Sequence, residues 1–324
     1  MYSIEKIIEI VDTIIKKEKY NLKPEGLYEP IEYVMSMGGK RLRPVLTLMA
    51  YNLYHENLEL SYNPALGIET FHNFTLLHDD IMDNADLRRN MPTVHKKWDE
   101  NTAILSGDAM MVKAYRHLLK YTGTNFKEIL DIFTQTALEV CEGQQYDMNF
   151  ETIESVSVDD YLEMIRLKTA VLIAASLKIG ALAANADKDD VENLYLAGLN
   201  VGMAFQIQDD YLDVFGDVDV FGKSIGGDIV ANKKTFLLIS AINNAKGDII
   251  SDLNECLALD KSHSKEKISR IINIYEKLDI KKLSKQKMDE YLELSFKYLQ
   301  MVKVDSSKKI HLVEFAKKLS KRVN

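Results

Sequence analysis

Apolar residues recur every three to four positions along nearly the whole chain. Ile4, Ile7, Ile8, Val11, Ile14 and Ile15 make one stripe, and Ile268, Ile271, Ile272 and Tyr275 make another. That is the spacing of an amphipathic helix, and no sustained apolar–polar alternation marks a strand. All five prolines, Pro24, Pro30, Pro44, Pro64 and Pro92, precede position 93. Proline costs about 3 kcal/mol inside a helix, so the remainder of the chain is free to be helical throughout. The pattern predicts about a dozen helices with short connections, over 3–19, 25–36, 41–56, 62–84, 98–121, 126–149, 158–185, 189–215, 234–245, 248–259, 265–303 and 307–322. The segment Ala174–Ala184, rich in alanine and leucine, is expected to be a central helix buried on most sides. No low-complexity linker interrupts the pattern, so the expected organisation is all-α, a single domain over residues 1–324.

Against this background one acidic pattern occurs twice, Asp79-Asp80-Ile81-Met82-Asp83 and Asp209-Asp210-Tyr211-Leu212-Asp213. On a helix, positions i and i+4 share a face, so Asp79 projects with Asp83 and Asp209 with Asp213. Bare like charges at that spacing destabilise a helix. Both motifs also fall near the C-terminal ends of their predicted helices, where a carboxylate opposes the macrodipole. A solvated acidic face is the plain alternative. It is disfavoured by the apolar flanks, Phe71, Phe74, Leu76 and Leu77 in one case and Phe205, Ile207 and Leu212 in the other. Carboxylates in such surroundings are seldom buried unless paired or on a metal. An all-oxygen donor set suits Mg²⁺, which keeps open positions that substrate phosphates fill. The first expectation is a phosphate-handling Mg²⁺ enzyme.

Bulk properties narrow the class. The 324 residues are 46% hydrophobic and 28% charged, as in an ordinary globular protein. A net charge of −8 argues against a nucleic-acid binder. Cys141 and Cys256 are isolated, too few for a disulfide framework, and are expected to be small buried hydrophobes. No signal-peptide layout opens the chain and no stretch is apolar enough to span a bilayer, so a cytoplasmic enzyme is expected.

Basic residues complete the constellation. Gly38-Gly39-Lys40-Arg41-Leu42-Arg43-Pro44 puts Lys40 and Arg43 at a helix start, where free backbone N–H groups also attract anions. Arg88 and Arg89 follow the first acidic motif, and a guanidinium fork matches phosphate oxygens. Behind the second motif, residues 215–234 carry Gly216, Gly222, Gly226 and Gly227 with Lys223 and Lys233. A plain connection would also read this way, but beside a metal motif a mobile cationic loop is expected to act as a lid over phosphate.

With these motifs in order, the chain resembles the trans-isoprenyl diphosphate synthases, the polyprenyl synthetase family, over nearly its whole length. The resemblance rests on Gly38–Pro44, on Leu77-His78 with Asp79–Asp83 and Arg88-Arg89, and on Gly143-Gln144 with Asp147. It continues through Lys168-Thr169, Phe205-Gln206-Ile207-Gln208 with Asp209–Asp213, and Gly222-Lys223 with Gly226, Asp228 and Lys233. It implies a helical bundle around a central substrate cavity, of the isoprenoid synthase type. The implied reaction is head-to-tail 1'-4 condensation of isopentenyl diphosphate with an allylic diphosphate, with Mg²⁺ as cofactor, a trio of ions once the allylic diphosphate is bound.

Residue by residue, the resemblance implies Asp79, Asp83 and Asp209 as metal ligands, with Asp80, Asp210 and Asp213 as indirect partners. Arg88, Lys168, Lys223 and Lys233 would hold the allylic diphosphate. Lys40, Arg43, His72 and Arg89 would hold isopentenyl diphosphate. Thr169 and Gln206 would turn oxygen dipoles toward the developing cation. Alone, His72 reads as a core histidine and Lys168 as a snorkelling side chain. The family commonly has glycine where this chain has Asn90, and asparagine tolerates the left-handed backbone such a turn needs. The resemblance also implies a homodimer. Phe74, five residues before Asp79, with the small Thr75 beside it and Phe71 below, looks like the combination for a twenty-carbon, geranylgeranyl product, with farnesyl as the alternative. A class I terpene cyclase needs no second diphosphate site, so Lys40, Arg43 and the arginine pair argue against one. A non-catalytic subunit could lose its acidic residues without penalty, and this chain keeps all of them.

Overall fold

The structure is a computed structural model that describes residues 1–20, 22–216 and 226–320. Nearly all of it is helical. In chain order the elements are α1 Ile4–Lys17, α2 Glu25–Ser36, α3 Leu42–Asn52, α4 Glu59–Met82, β1 Leu87–Arg88, β2 Met91–Pro92, α5 Val94–Lys97, α6 Glu100–Leu118, α7 Phe126–Thr152 and α8 Val158–Ile165. A π-helical turn, Arg166–Ala170, leads into α9 Val171–Ala183 and α10 Lys188–Phe215. Then come α11 Gly227–Val230, α12 Phe236–Asn244, α13 Asp248–Ala258, α14 Ser264–Lys277, α15 Ile280–Met301 and α16 Ser306–Ser320.

The chain divides into two compact units. The first comprises residues 1–135, 175–195 and 302–312; the second comprises 136–174, 196–301 and 313–324. In the first, α4 packs along α6 and against α3. Its α4 face is buried from Ala65 to Phe71, and the core includes Leu48, Met49, Ile68, Met110 and Phe133. In the second, one apolar cluster gathers Tyr161, Met164, Ile165, Met203, Ile207, Tyr211, Leu212 and Phe236. A neighbouring cluster joins Leu237, Leu238, Ile271, Ile274, Tyr275 and Ile280.

Local sequence explains the element ends. Ser3 caps α1, its hydroxyl accepting from Lys6 N, and Asp99 caps α6 through Thr102 N at 2.8 Å. Ser157 and Asp160 make a reciprocal capping box at α8. The expected buried helix is α9, in which every residue from Val171 to Leu177 is buried.

Three expectations need correcting. The helix expected over 265–303 is two, α14 and α15, broken at Asp279 with φ +54°. The apolar stripe runs through the break, because Ile271, Ile274 and Ile280 enter one cluster, so periodicity alone could not show it. The helix expected over 158–185 contains the π-turn, where one extra residue shifts the phase of the face. Cys256 is buried as expected, but Cys141 is exposed on α7.

Candidate active site

The first unit carries the first acidic motif at the C-terminal end of α4. The Asp83 N–H donates to Asp79 O at 2.8 Å, so the two residues stack one turn apart. Asp80 points inward and is 5% exposed. Arg88 donates to its Oδ1 from both Nε (2.9 Å) and Nη2 (2.7 Å). Burial raises the Asp80 pKa, and the Arg88 guanidinium opposes that rise. Arg88 is delivered by a hairpin that periodicity did not show. Leu87 pairs with Pro92 and Arg88 with Met91, across a two-residue turn of Arg89 and Asn90 at φ +55° and +62°. Two left-handed residues are what a tight hairpin needs, and Asn90 supplies one without glycine.

The turn also projects Arg89, whose guanidinium donates to the Gly38 carbonyl. Gly38 and Gly39, at φ +75° and +121°, shape the segment leading into α3. Arg41 follows in the left-handed region at φ +46° and turns inward. Its Nη1 meets Glu69 Oε1 at 2.6 Å, both side chains being almost fully buried. Asn73 donates to the same Glu69 oxygen at 2.8 Å. Removing either ion would strand the other, a loss of roughly 3–5 kcal/mol. This pair therefore anchors the turn that presents Lys40 and Arg43. Sequence reasoning missed Glu69 and Asn73. The available signal was Glu69 lying one turn before His72.

Arg43 and His72 meet directly, Nη1 to Nε2 at 3.0 Å. Burial, then Arg43 and the neighbouring arginines, push the His72 pKa well down. A neutral ring then accepts from Arg43 and fixes it. Burial lowers the Arg43 pKa to about 10, with Glu69 opposing. Its Nε is buried without a hydrogen-bond partner, an unsatisfied charged donor that needs an explanation. Lys40 is exposed.

The second unit carries the second acidic motif on α10. Asp209 is exposed, Asp213 half-buried and Asp210 buried. Asp213 accepts from the Asp228 N–H at 2.9 Å, while the Gly226 N–H donates to its carbonyl at 2.7 Å. Burial, helped by Asp213, Asp209 and Asp147 and opposed by Lys233, raises the Asp228 pKa to about 6. Such crowding of carboxylates is what a bound cation would relieve. Asp210 accepts from Tyr161 Oη at 2.6 Å and Gln206 Nε2 at 3.0 Å. Burial pushes its pKa up to about 7, with Lys233 the main opposing charge. Thr169 Oγ1 donates to Gln206 Oε1 at 2.9 Å. Lys168, in the π-turn with Thr169, pairs with Asp147 at 2.6 Å. Gly143 explains how α7 reaches that turn. A Cβ there would press on Lys168 N and stand 2.7 Å from both Leu167 C and Lys168 Cα.

The structure thus brings Arg43, His72, Arg88 and Arg89 to the helix end that carries Asp79 and Asp83 in the first unit, with Lys40 exposed on the turn into α3. It brings Lys168, Thr169, Gln206, Asp209 and Lys233 together in the second. Lys223 and much of the expected lid lie outside the described residues. Among the described residues no three carboxylate, imidazole or thiolate side chains form a ready metal cage. An all-oxygen set with few protein ligands fits Mg²⁺ bound jointly with phosphate and water.

The sequence profile of the polyprenyl synthetase family matches residues 24–275. The chain belongs to the polyprenyl synthetase family. It is therefore a prenyltransferase of the all-α isoprenoid synthase fold. Among relatives of this polyprenyl synthetase, a geranylgeranyl diphosphate synthase of Methanosarcina mazei is 39% identical over 287 residues, covering 83% of this chain and 88% of the relative. A geranylfarnesyl diphosphate synthase of Natronomonas pharaonis is 41% identical, covering 72% and 74%. A crystal structure of a geranylgeranyl pyrophosphate synthase superposes with a TM-score of 0.95 at 42% identity over the full length of both chains. No helix among the described residues is long and apolar enough to cross a membrane.

Proposed function

We propose that the chain condenses isopentenyl diphosphate with an allylic diphosphate and that its main product is geranylgeranyl diphosphate. The observation that carries this reading is Arg43, half-buried, seated on His72 at 3.0 Å and carrying a buried Nε that has no hydrogen-bond partner. It supports a second diphosphate site, which a terpene cyclase would not need. Lys40 and Arg89 complete that site for isopentenyl diphosphate. Arg88, Lys168 and Lys233, with Lys223, hold the allylic diphosphate. Asp79, Asp83 and Asp209 hold Mg²⁺, which when bound neutralises the charge growing on the leaving diphosphate. The allylic C–O bond breaks, the isopentenyl double bond supplies the new C–C bond, and the departing diphosphate accepts the proton. Thr169 and Gln206 turn oxygen dipoles toward the cation. The family match runs through segments of both compact units, which supports one catalytic domain.

Arg43→Ala is expected mainly to raise the KM for isopentenyl diphosphate, because it removes a contact to a group that does not react. Steady-state kinetics with each substrate varied checks this. A defect confined to the allylic substrate would reverse the assignment of the two sites.

Product length follows from α4. A diphosphate fixed at Asp79 sends the growing chain back along the helix past Thr75, Phe74 and Phe71. Phe74 stacks edge-on with His78 at 4.7 Å and lies 5.6 Å from Phe71. Phe71 is fully buried and edge-on to Phe133 at 5.3 Å. Rings braced in this way cannot be displaced cheaply. Phe74→Ala should lengthen the product by one or more five-carbon units, and Thr75→Phe should shorten it. Chromatography of dephosphorylated products reads both. An unchanged distribution in the two variants would place the limiting wall elsewhere, and a fifteen-carbon main product would favour farnesyl diphosphate.

The active form is a homodimer in this reading. Ile104, Leu105, Val112 and Leu119 on and just after α6 are 45–61% exposed, apolar surface suited to a second copy. Light scattering should report twice the 37.0 kDa chain mass. A monomer at micromolar concentration would contradict it.

A further inference from the structure

We propose that Tyr161 is a positioning residue for the reaction, acting through Asp210 and Gln206 to aim the Thr169 hydroxyl; this rests on reading Thr169 and Gln206 as the dipoles that face the allylic cation. A continuous hydrogen-bonded chain links the four side chains. Tyr161 Oη donates to Asp210 Oδ2 at 2.6 Å, Gln206 Nε2 donates to Asp210 Oδ1 at 3.0 Å, and Thr169 Oγ1 donates to Gln206 Oε1 at 2.9 Å. Each Asp210 oxygen accepts from a different donor, Tyr161 Oη and Gln206 Nε2, so Gln206 presents its NH₂ to Asp210 and its oxygen to Thr169. The Thr169 proton is then committed to Gln206, and the remaining Thr169 lone pairs are left to face developing positive charge. Reversing the amide would oppose two acceptors at Asp210 and leave the threonine free to turn.

Tyr161 is the fixed end of this chain. It is 1% exposed, within the cluster formed by Ile165, Met203, Ile207 and Phe236. It lies on α8, before the π-turn that carries Thr169. Its hydroxyl occupies the Asp210 oxygen that Gln206 does not use. Both Asp210 oxygens are thereby engaged, and the carboxylate cannot rotate and carry Gln206 with it.

The test is a double-mutant cycle on the full-length enzyme with Mg²⁺, using Tyr161→Phe, Thr169→Val and the double variant. The readouts are single-turnover rate, both KM values and melting temperature. Tyr161→Phe keeps the ring, and the single-turnover rate should fall about tenfold, the size expected for one hydrogen bond to a charged group. Both KM values should stay within about twofold, since neither diphosphate is contacted. In the Thr169→Val background the Tyr161→Phe step should cost almost nothing, because the group it aims is gone. Equal losses in both backgrounds would overturn the proposal by making Tyr161 a packing residue only. An unchanged rate in Tyr161→Phe would overturn it directly. An unchanged rate in Thr169→Val would instead remove the reading of Thr169 on which the proposal stands, and the proposal with it.

Discussion

Asp79→Ala and Asp209→Ala are each expected to lower turnover by at least about a hundredfold, because each removes charge stabilisation made at bond cleavage. The expectation starts from spacing: carboxylates at i and i+4 stack on one helix face, as Asp79 and Asp83 do at the end of α4. It is sharpened by burial. Asp80 and Asp210 are both 5% exposed and are held by Arg88 and Tyr161, whereas Asp209 is exposed and Asp79 half-buried. The outward residues are therefore the ones we propose as metal ligands. Asp80→Asn is expected to act differently, through the Arg88 hairpin. Chelation with EDTA should abolish turnover and Mg²⁺ should restore it. Full activity of a metal-free preparation, or of either alanine variant, would remove the acidic motifs from the mechanism.

Gly143→Ala is expected to be nearly as damaging, although a glycine has no side chain to offer a substrate. The added Cβ would press on Lys168 N and on the Leu167 and Lys168 backbone. Backbone cannot step aside as a flexible side-chain tip can. Overpacking of this kind costs typically about 1–3 kcal/mol. The displaced segment is the π-turn that holds Lys168 on Asp147 and Thr169 on Gln206. A shift near 1 Å in groups that orient reactants can lower the rate by about a hundredfold. Melting temperature and turnover should therefore both fall, with turnover failing at temperatures where the variant is still folded. A variant with wild-type turnover would show that the position of the π-turn is not critical.

Much of the helical framework was legible in the sequence because a 3.6-residue stripe survives wherever one face meets water. It failed where that contrast vanishes. Every residue from Val171 to Leu177 is buried, so the phase slip at Arg166–Ala170 left no polar face to betray it. The break at Asp279 was hidden for a related reason, since Ile274 and Ile280 serve the same core from either side. The hairpin at Leu87–Pro92 has strands of two residues and no glycine in its turn, below what alternation can reveal. The acidic and basic motifs were legible because their chemistry is local in sequence. Their supports were not. Arg41 and Glu69 are 28 residues apart and Tyr161 and Asp210 are 49 apart, and no local pattern links such pairs.

The most direct measurement is incubation of the purified chain alone with Mg²⁺, isopentenyl diphosphate and each allylic starter in turn, followed by chromatography of the dephosphorylated products. Consumption of isopentenyl diphosphate with accumulation of a twenty-carbon prenyl alcohol is the predicted result. Absence of isopentenyl diphosphate consumption with every starter would contradict the account, whether a cyclised hydrocarbon formed or no product at all.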